Sequence, residues 1–178
     1  LELAHRLDRE TSGVLILAKK RAALLRLQAL MQDKQTDKRY YALVQGQWLN
    51  SIQHLRYALH KYTTPEGERR VRVQADGQVS HTVVRLEKRY AQYSLVEAQL
   101  KTGRTHQIRV HLASAGFPIV NDEKYGDYAA NKMLQKTSFK NMFLHAHRLQ
   151  LPHPIHDTPL DLVAPLPPAL AAFLAQLD

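Results

Sequence analysis

The most constraining feature of this sequence is a long region, residues 52–101, in which apolar and polar residues alternate with the period of two typical of β-strands. Two turn sequences interrupt the alternation, Pro65-Glu66-Gly67 and Asp76-Gly77. Strands are therefore predicted near Ile52–Leu59, Arg69–Gln74, Val79–Tyr90 and Tyr93–Lys101. Short turns between consecutive strands are typical of antiparallel hairpins, so several of these strands are predicted to pair as hairpins.

The rest of the chain mixes helical and strand patterns. Leu24, Leu27, Leu30 and Met31 recur at helical spacing and predict a helix over Arg21–Gln32. Further helices are predicted from Thr105 to about Ala115, with Gly116 as the stop, and over Pro167–Leu177. Additional strands are predicted at residues 14–19, 39–48, 142–151 and 160–163. The expected fold is one α+β domain over residues 1–178, with a mixed, mostly antiparallel sheet flanked by helices.

The positive charge of the chain is concentrated in its first part. The formal net charge is +9, and residues 1–109 hold 20 Lys and Arg against 10 Asp and Glu, whereas residues 110–178 hold 5 against 6. This imbalance favours a nucleic-acid partner, although a merely soluble basic protein explains the charge equally well. The absence of Cys excludes disulfides, thiolate catalysis and Cys-ligated zinc. With no secretory leader and no apolar run of membrane-spanning length, we expect a cytoplasmic protein.

The first candidate site is the polar segment at residues 5–13, immediately before a predicted buried strand. Asp8 lies between Arg6 and Arg9, which would favour its ionised form and keep it available as a nucleophile. An Asp among arginines in a loop is more often a structural ion pair. The pattern alone therefore leaves both interpretations open.

The second candidate site is residues 103–111, at the start of a predicted helix. Arg104 and the free amides there could hold phosphate, and Arg109, one turn further, could reach a buried anion, for which Asp8 is the obvious candidate. An amphipathic helix with a solvated basic face is the simpler alternative. His106 and His111 are five residues apart and no H-E-x-x-H motif accompanies them, so no metal site is predicted.

Four segments, taken in order, resemble the RluA family of pseudouridine synthases. They are His-Arg-Leu-Asp at 5–8, Lys-Arg-Tyr-Tyr-Ala-Leu-Val at 38–44, the segment 103–111, and Phe-Leu-His-Ala at 143–146. The resemblance implies that Asp8, Tyr40 and Arg109 are catalytic. Asp8 is the expected catalytic aspartate, Tyr40 is expected to stack on the target base and to move its proton, and Arg109 is expected to pair with the aspartate. It also implies that Leu144 packs under the base. Arg6, Arg104 and His106 are expected to contact RNA.

The resemblance implies the isomerisation of uridine to pseudouridine in RNA, without cofactor or metal and by a monomer. The expected substrate is 23S ribosomal RNA, with tRNA as an alternative. Family members carry more sequence upstream, so the chain is expected to lack the N-terminal strands of the domain and any S4-type RNA-binding module. The carboxylate could attack C1′ or remove the C2′ proton, and the sequence does not choose between these routes.

Two other classes of protein remain open. A non-catalytic RNA-binding module would show the same basic half and the same tyrosines. A phosphotransferase is suggested only by the likeness of residues 5–8 to a kinase H-R-D loop, and no Gly-rich loop or D-F-G motif supports it.

Overall fold

A computed structural model describes residues 1–178 and contains ten strands and four helices. The strands are β1 (Glu2–Leu3), β2 (Ser12–Gly13), β3 (Leu17–Ala18), β4 (Asp37–Gln45), β5 (Ile52–Thr63), β6 (Arg69–Val73), β7 (Gln78–Arg89), β8 (Tyr93–Leu100), β9 (Leu144–Pro152) and β10 (Pro159–Val163). The helices are α1 (Arg21–Gln32), α2 (Gln107–Ser114), α3 (Tyr128–Leu134) and α4 (Pro168–Leu177). No helix is long and apolar enough to cross a membrane.

One eight-stranded sheet organises the molecule, in the order β10-β9-β4-β8-β7-β5-β6. Every pair along this path is antiparallel, and the short strand β2 adds to β9 in parallel. A separate two-stranded sheet joins β1 to β3. The predicted α+β class is confirmed, and β5 with β6 and β7 with β8 form antiparallel hairpins as expected. Strands β6 and β7 do not pair, because β7 adds to β5 instead, so the Asp76-Gly77 turn does not close a hairpin.

Strand β4 lies between β8 and β9 and separates two apolar cores. Ala42 and Val44 belong to a cluster of twelve buried residues on one face, and Tyr40 packs against that cluster. Leu43, next to them in sequence, belongs to a second cluster on the other face, where the apolar stripe of α4 also packs. A strand buried on both faces explains the nearly continuous apolar run in this part of the sequence.

Two helices cover the face of the sheet that carries Tyr40. The stripe of Leu24 and Leu27 from α1 packs with Leu149 and Leu151 of β9, as the helical spacing predicted. Helix α2 lies against β5, β6 and β7, and its buried residues include Ile108 and Leu112. A cleft lined by Tyr40 and by the start of α2 lies on this same face.

Three local predictions are wrong. Residues 14–19 are not one buried strand, because within them only Leu17–Ala18 (β3) forms a strand, and Leu15 and Leu17 remain 45% and 50% exposed. Thr105 does not cap α2, since the N-cap is His106 in the left-handed conformation. Helix α3 was missed because it lies in a polar segment, where Asp127 caps it by accepting a hydrogen bond from the amide of Ala130.

A close backbone approach fixes the end of the 5–13 segment. Ser12 and Gly13 pair with His145 and Ala146 of β9, and the Val14 amide donates to the Ala146 carbonyl at 2.9 Å. Ser12 Oγ lies 2.8 Å from His145 Nδ1, while His145 Nε2 lies 2.8 Å from the Ala164 carbonyl. Because a carbonyl can only accept, Nε2 carries the ring proton and Ser12 donates to Nδ1. These contacts attach the segment that carries Asp8 to the sheet.

We expect Gly13→Ala to destabilise the fold by about 2–4 kcal/mol. Gly13 has φ +122°, and a Cβ there would lie 2.2 Å from the Ala146 carbonyl oxygen. Denaturant unfolding measures the loss. Gly103→Ala is the matched control, because a Cβ at Gly103 meets no atom within 4 Å and its backbone is not left-handed. Equal stability of the two variants would contradict the close approach.

Candidate active site

The predicted site residues meet in one cleft of about 840 Å³, although they come from four separate parts of the chain. The 5–11 segment forms one wall, β4 contributes Tyr40, and the loop before α2 forms the opposite wall. The lining includes Arg6, Asp8, Tyr40, Arg104, His106, Arg109 and Leu144. The tertiary structure therefore brings together every site residue that the sequence proposed.

Arg109 is the buried cation of this cleft and bonds two carboxylates at once. Its Nε and Nη2 donate to the two oxygens of Asp122 at 2.9 and 2.7 Å, a bidentate pair. Its Nη1 donates to Asp8 Oδ2 at 3.1 Å. The side chain of Arg109 is 7% exposed and that of Asp122 only 1%. Burial disfavours the charge, but the hydrogen bonds and charge of Asp122, with those of Asp8, raise the pKa of Arg109.

Asp8 presents one anchored and one free carboxylate oxygen. A turn closed by the Thr11 amide on the Asp8 carbonyl at 2.9 Å shapes its loop. Oδ2 is held by Arg109, whereas the nearest ionisable group to Oδ1 is His106 Nε2 at 3.8 Å, beyond hydrogen-bond length. The Asp8 side chain is 31% exposed. A carboxylate oxygen without a hydrogen-bond partner in an open cleft can approach a substrate carbon.

Asp122 was missed by the sequence reasoning, which treated its surroundings as a polar connection. It follows Ile119 and Val120, which are both almost fully buried. Its Oδ1 also accepts from the amides of Lys124 and Tyr125 at 3.0 and 3.2 Å. An acidic residue two positions after a short apolar pair was the available signal, but nothing in the sequence links it to Arg109.

His106 lines the cleft beside Asp8 and is hydrogen-bonded to Tyr125. Tyr125 Oη accepts from the Val71 amide at 2.9 Å, so its own proton is available for His106 Nδ1 at 2.6 Å. That arrangement leaves the proton of His106 on Nε2, facing Asp8. Burial, partly opposed by the Asp8 charge, lowers the pKa of His106. His106 is therefore neutral at pH 7 and adds no cation to the cleft.

Tyr40 and Leu144 supply the apolar part of the cleft. They lie on the neighbouring strands β4 and β9, and both pack with the same core cluster. Burial and the nearby charge of Asp8 raise the pKa of Tyr40 to about 12. Its phenol is consequently protonated at neutral pH and can donate a hydrogen bond but not remove a proton.

The arginines that flank Asp8 in sequence do not pair with it. Arg6 is exposed, Arg9 lies 3.8 Å from Glu10, and neither has a nitrogen within 4.0 Å of the Asp8 carboxylate. The expected pairing of Asp8 with its sequence neighbours is therefore wrong. The cation that bonds Asp8 is Arg109, 101 residues further along the chain.

Arg104 lies at the mouth of the cleft, and the backbone near it is already bonded. Its amide donates to Gln107 Oε1 at 3.0 Å, and its Nε donates to the Val79 carbonyl at 3.1 Å. The predicted cradle of free amides is therefore partly occupied. The Nη groups of Arg104 have no hydrogen-bond partner in the protein and remain available to a ligand.

The chain belongs to the pseudouridine synthases. Residues 1–114, more than half of the chain, match the family model described as RNA pseudouridylate synthase. The resemblance to the RluA family is confirmed by curated relatives. Ribosomal large subunit pseudouridine synthase C of Haemophilus ducreyi is 44% identical over 177 residues, and that of Salmonella typhimurium is 45% identical over 179. Both alignments cover 99% of this chain but 55% and 56% of the relative, so the chain spans about half the length of these proteins.

Two solved human structures share the fold. RNA Pseudouridylate Synthase Domain Containing 1 superposes with a TM-score of 0.82 at 27% identity, over 96% of this chain and 72% of that one. RNA Pseudouridylate Synthase Domain Containing 4 gives 0.81 at 29% identity, over 99% and 75%. These similarities confirm the α+β architecture of a pseudouridine synthase domain.

We expect Arg109→Leu to lower the free energy of unfolding by about 3–5 kcal/mol, because it leaves the Asp122 carboxylate buried without its partner. Arg148→Leu is a matched control. Arg148 binds Asp161 with the same bidentate geometry, at 2.9 and 2.7 Å, but these side chains are 40% and 46% exposed. Its loss should leave stability nearly unchanged. Chemical denaturation of both variants measures the difference, and similar losses would contradict the role of burial.

Proposed function

We propose that this chain isomerises uridine to pseudouridine in RNA, with Asp8 as the nucleophile. The observation that carries the proposal is the Asp8 carboxylate, with one oxygen bonded to a buried arginine and the other free in a cleft. A pure RNA-binding module gains nothing from such a group, because a carboxylate in the cleft repels phosphate. For a reaction at the sugar of a bound nucleotide, the same carboxylate is the required reagent.

The reaction follows from that geometry. Asp8 Oδ1 attacks C1′ of the uridine, the N1–C1′ bond breaks, and its electron pair leaves with the uracil. The uracil then turns so that C5 bonds to C1′ and Asp8 is released. C5 loses its proton and N1 takes one up, so the product is an isomer of the substrate. The same oxygen could instead remove the C2′ proton and give a glycal. No step needs an oxidant or an external group, so the proposal includes no cofactor or metal.

Tyr40 and Leu144 provide a place for the base. A uridine within folded RNA must be turned out of its stack to reach Asp8, which costs a few kcal/mol. Stacking on the ring of Tyr40 and contact with Leu144 offset about 1–3 kcal/mol of that cost. The exposed guanidinium groups of Arg6 and Arg104 at the cleft mouth are placed to contact neighbouring phosphates.

Ribosomal RNA is the substrate that the relatives favour, since those with about 44% identity are named for the large ribosomal subunit. The excess of Lys and Arg in residues 1–109, which form most of the cleft, suits a polyanionic partner. We propose 23S ribosomal RNA as the target and action as a monomer in the cytoplasm.

Asp8→Asn should abolish pseudouridine formation while RNA affinity stays within about threefold, because the amide keeps the shape of the side chain but is not a nucleophile. Carbodiimide labelling followed by primer extension measures modification of unmodified large-subunit RNA. Glu66→Gln, which removes an exposed carboxylate outside the cleft, is the control and should modify at the parent rate. Modification by Asp8→Asn at the parent rate would refute the nucleophile, and no modification by the parent chain would refute the activity.

A further inference from the structure

Lys38 lies in the cleft on the same strand face as Tyr40. They are two positions apart on β4, so their Cα atoms are roughly 7 Å apart and their side chains point the same way. Lys38 lines the cleft, and its neighbours across the sheet are Leu100 of β8 and Leu149 of β9. Its position is thus next to the expected base site, between two apolar neighbours.

No group of the protein balances the charge of Lys38. Arg109 has two carboxylates and Lys124 has Glu68 at 3.3 Å, but Lys38 has no carboxylate within 4.0 Å and no side-chain hydrogen bond. The titratable neighbour His5 accepts from the Ile16 amide through Nε2, and burial, with the Lys38 charge, lowers its pKa to about 4. Burial also lowers the pKa of Lys38 itself. An unpaired, partly buried ammonium lowers the stability of the fold unless a ligand supplies the anion.

The proposed reaction creates such an anion. Before bond cleavage, the negative charge is on Asp8 and is paired with Arg109. When Asp8 becomes an ester and the N1–C1′ bond breaks, that charge passes to the uracil, where it spreads over N1, O2 and O4. Arg109 stays bound to Asp122, so the uracil needs a second cation. The total charge of the cleft does not change, and no proton has to leave Lys38.

We propose that Lys38 is a catalytic residue whose ammonium group stabilises the uracil anion between cleavage of the N1–C1′ bond and formation of the C5–C1′ bond. This inference rests on the proposed function. The apolar flanks strengthen the interaction, because a charge pair in a low-dielectric site is screened less than one in water. The charge returns to Asp8 when C5 attacks C1′, so Lys38 holds the base only while it is detached.

The site of Lys38 favours the base over a phosphate. Phosphates remain solvated and are met by exposed side chains such as Arg6 and Arg104 at the cleft mouth. Lys38 is only partly exposed and lies beside Tyr40, where the base is expected to stack. A group that pairs with a phosphate binds ground state and transition state alike, whereas a group that pairs with the uracil anion acts only after cleavage begins.

The test compares Lys38→Met, which removes the charge and keeps the length, with Lys38→Arg, which keeps the charge. We expect the single-turnover rate constant of Lys38→Met on saturating RNA to fall by about 10²–10³-fold, the effect typical of losing one preorganised electrostatic contact. Its Kd for RNA should stay within about twofold, with an unchanged dependence on salt. Lys38→Arg should recover most of the rate. Lys132→Met removes the same charge from an exposed position on α3 outside the cleft and should match the parent.

Thermal unfolding separates this role from a structural one. Because the ammonium is unpaired, Lys38→Met should unfold at or above the parent temperature. A lower melting temperature together with slow turnover would overturn the proposal. A weaker affinity for RNA with a reduced dependence on salt, at the turnover rate of the parent chain, would also overturn it, because that combination indicates a phosphate contact. An active parent with an equally active Lys38→Met would refute this inference alone. An inactive parent would refute the proposed function and this inference with it.

Discussion

The structure of the cleft depends on one guanidinium group shared between two carboxylates. Arg109 is buried, and a buried cation is stable only with a partner of good geometry, which Asp122 supplies through two hydrogen bonds. The bond to Asp122 fixes the plane of the guanidinium and aims its third donor, Nη1, at Asp8. Asp8 is positioned by a group that is itself held in place, and its second oxygen is left for the substrate.

The sheet provides the rigid frame for this arrangement. Residues 5–11 form no regular element except turns, so Asp8 depends on how both ends of its segment are attached. The attachment after Asp8 is the contact of Gly13 with Ala146, on the strand that also carries Leu144. On the opposite wall, the left-handed residue His106 starts α2 one turn before Arg109. Asp8 and Arg109 are thus each close to a backbone position that tolerates little movement, Gly13 and His106 respectively.

The distribution of charge in the cleft is compatible with the proposed attack of Asp8 on a polyanionic substrate. The exposed cations Arg6 and Arg104 lie at the mouth, whereas the charge of Asp8 is balanced inside by Arg109. A nucleic acid therefore meets positive groups first. No further negative charge near the sugar comes from the protonated Tyr40, the neutral His106 or the unpaired Lys38.

The sequence by itself determined the local elements and the chemical types at the site. The alternation of residues 52–101 and the stripe of α1 were sufficient for the fold class, since these periods report which side chains are buried. The motifs at 5–8, 38–44 and 103–111 were sufficient to name Asp8, Tyr40 and Arg109. Both kinds of signal are local, and each can be seen within about a dozen residues.

Only the tertiary structure decided what holds Asp8. The sequence pointed to its neighbours Arg6 and Arg9, but the pair is made with Arg109, and Asp122 was not foreseen at all. The short length of the strand within residues 14–19 and the lack of a carboxylate partner for Lys38 likewise depend on which strands lie beside them. The physical reason is that the energy of a charge is set by the groups within a few ångströms of it and by its burial. Those neighbours come from positions far apart in the chain, and only folding brings them together.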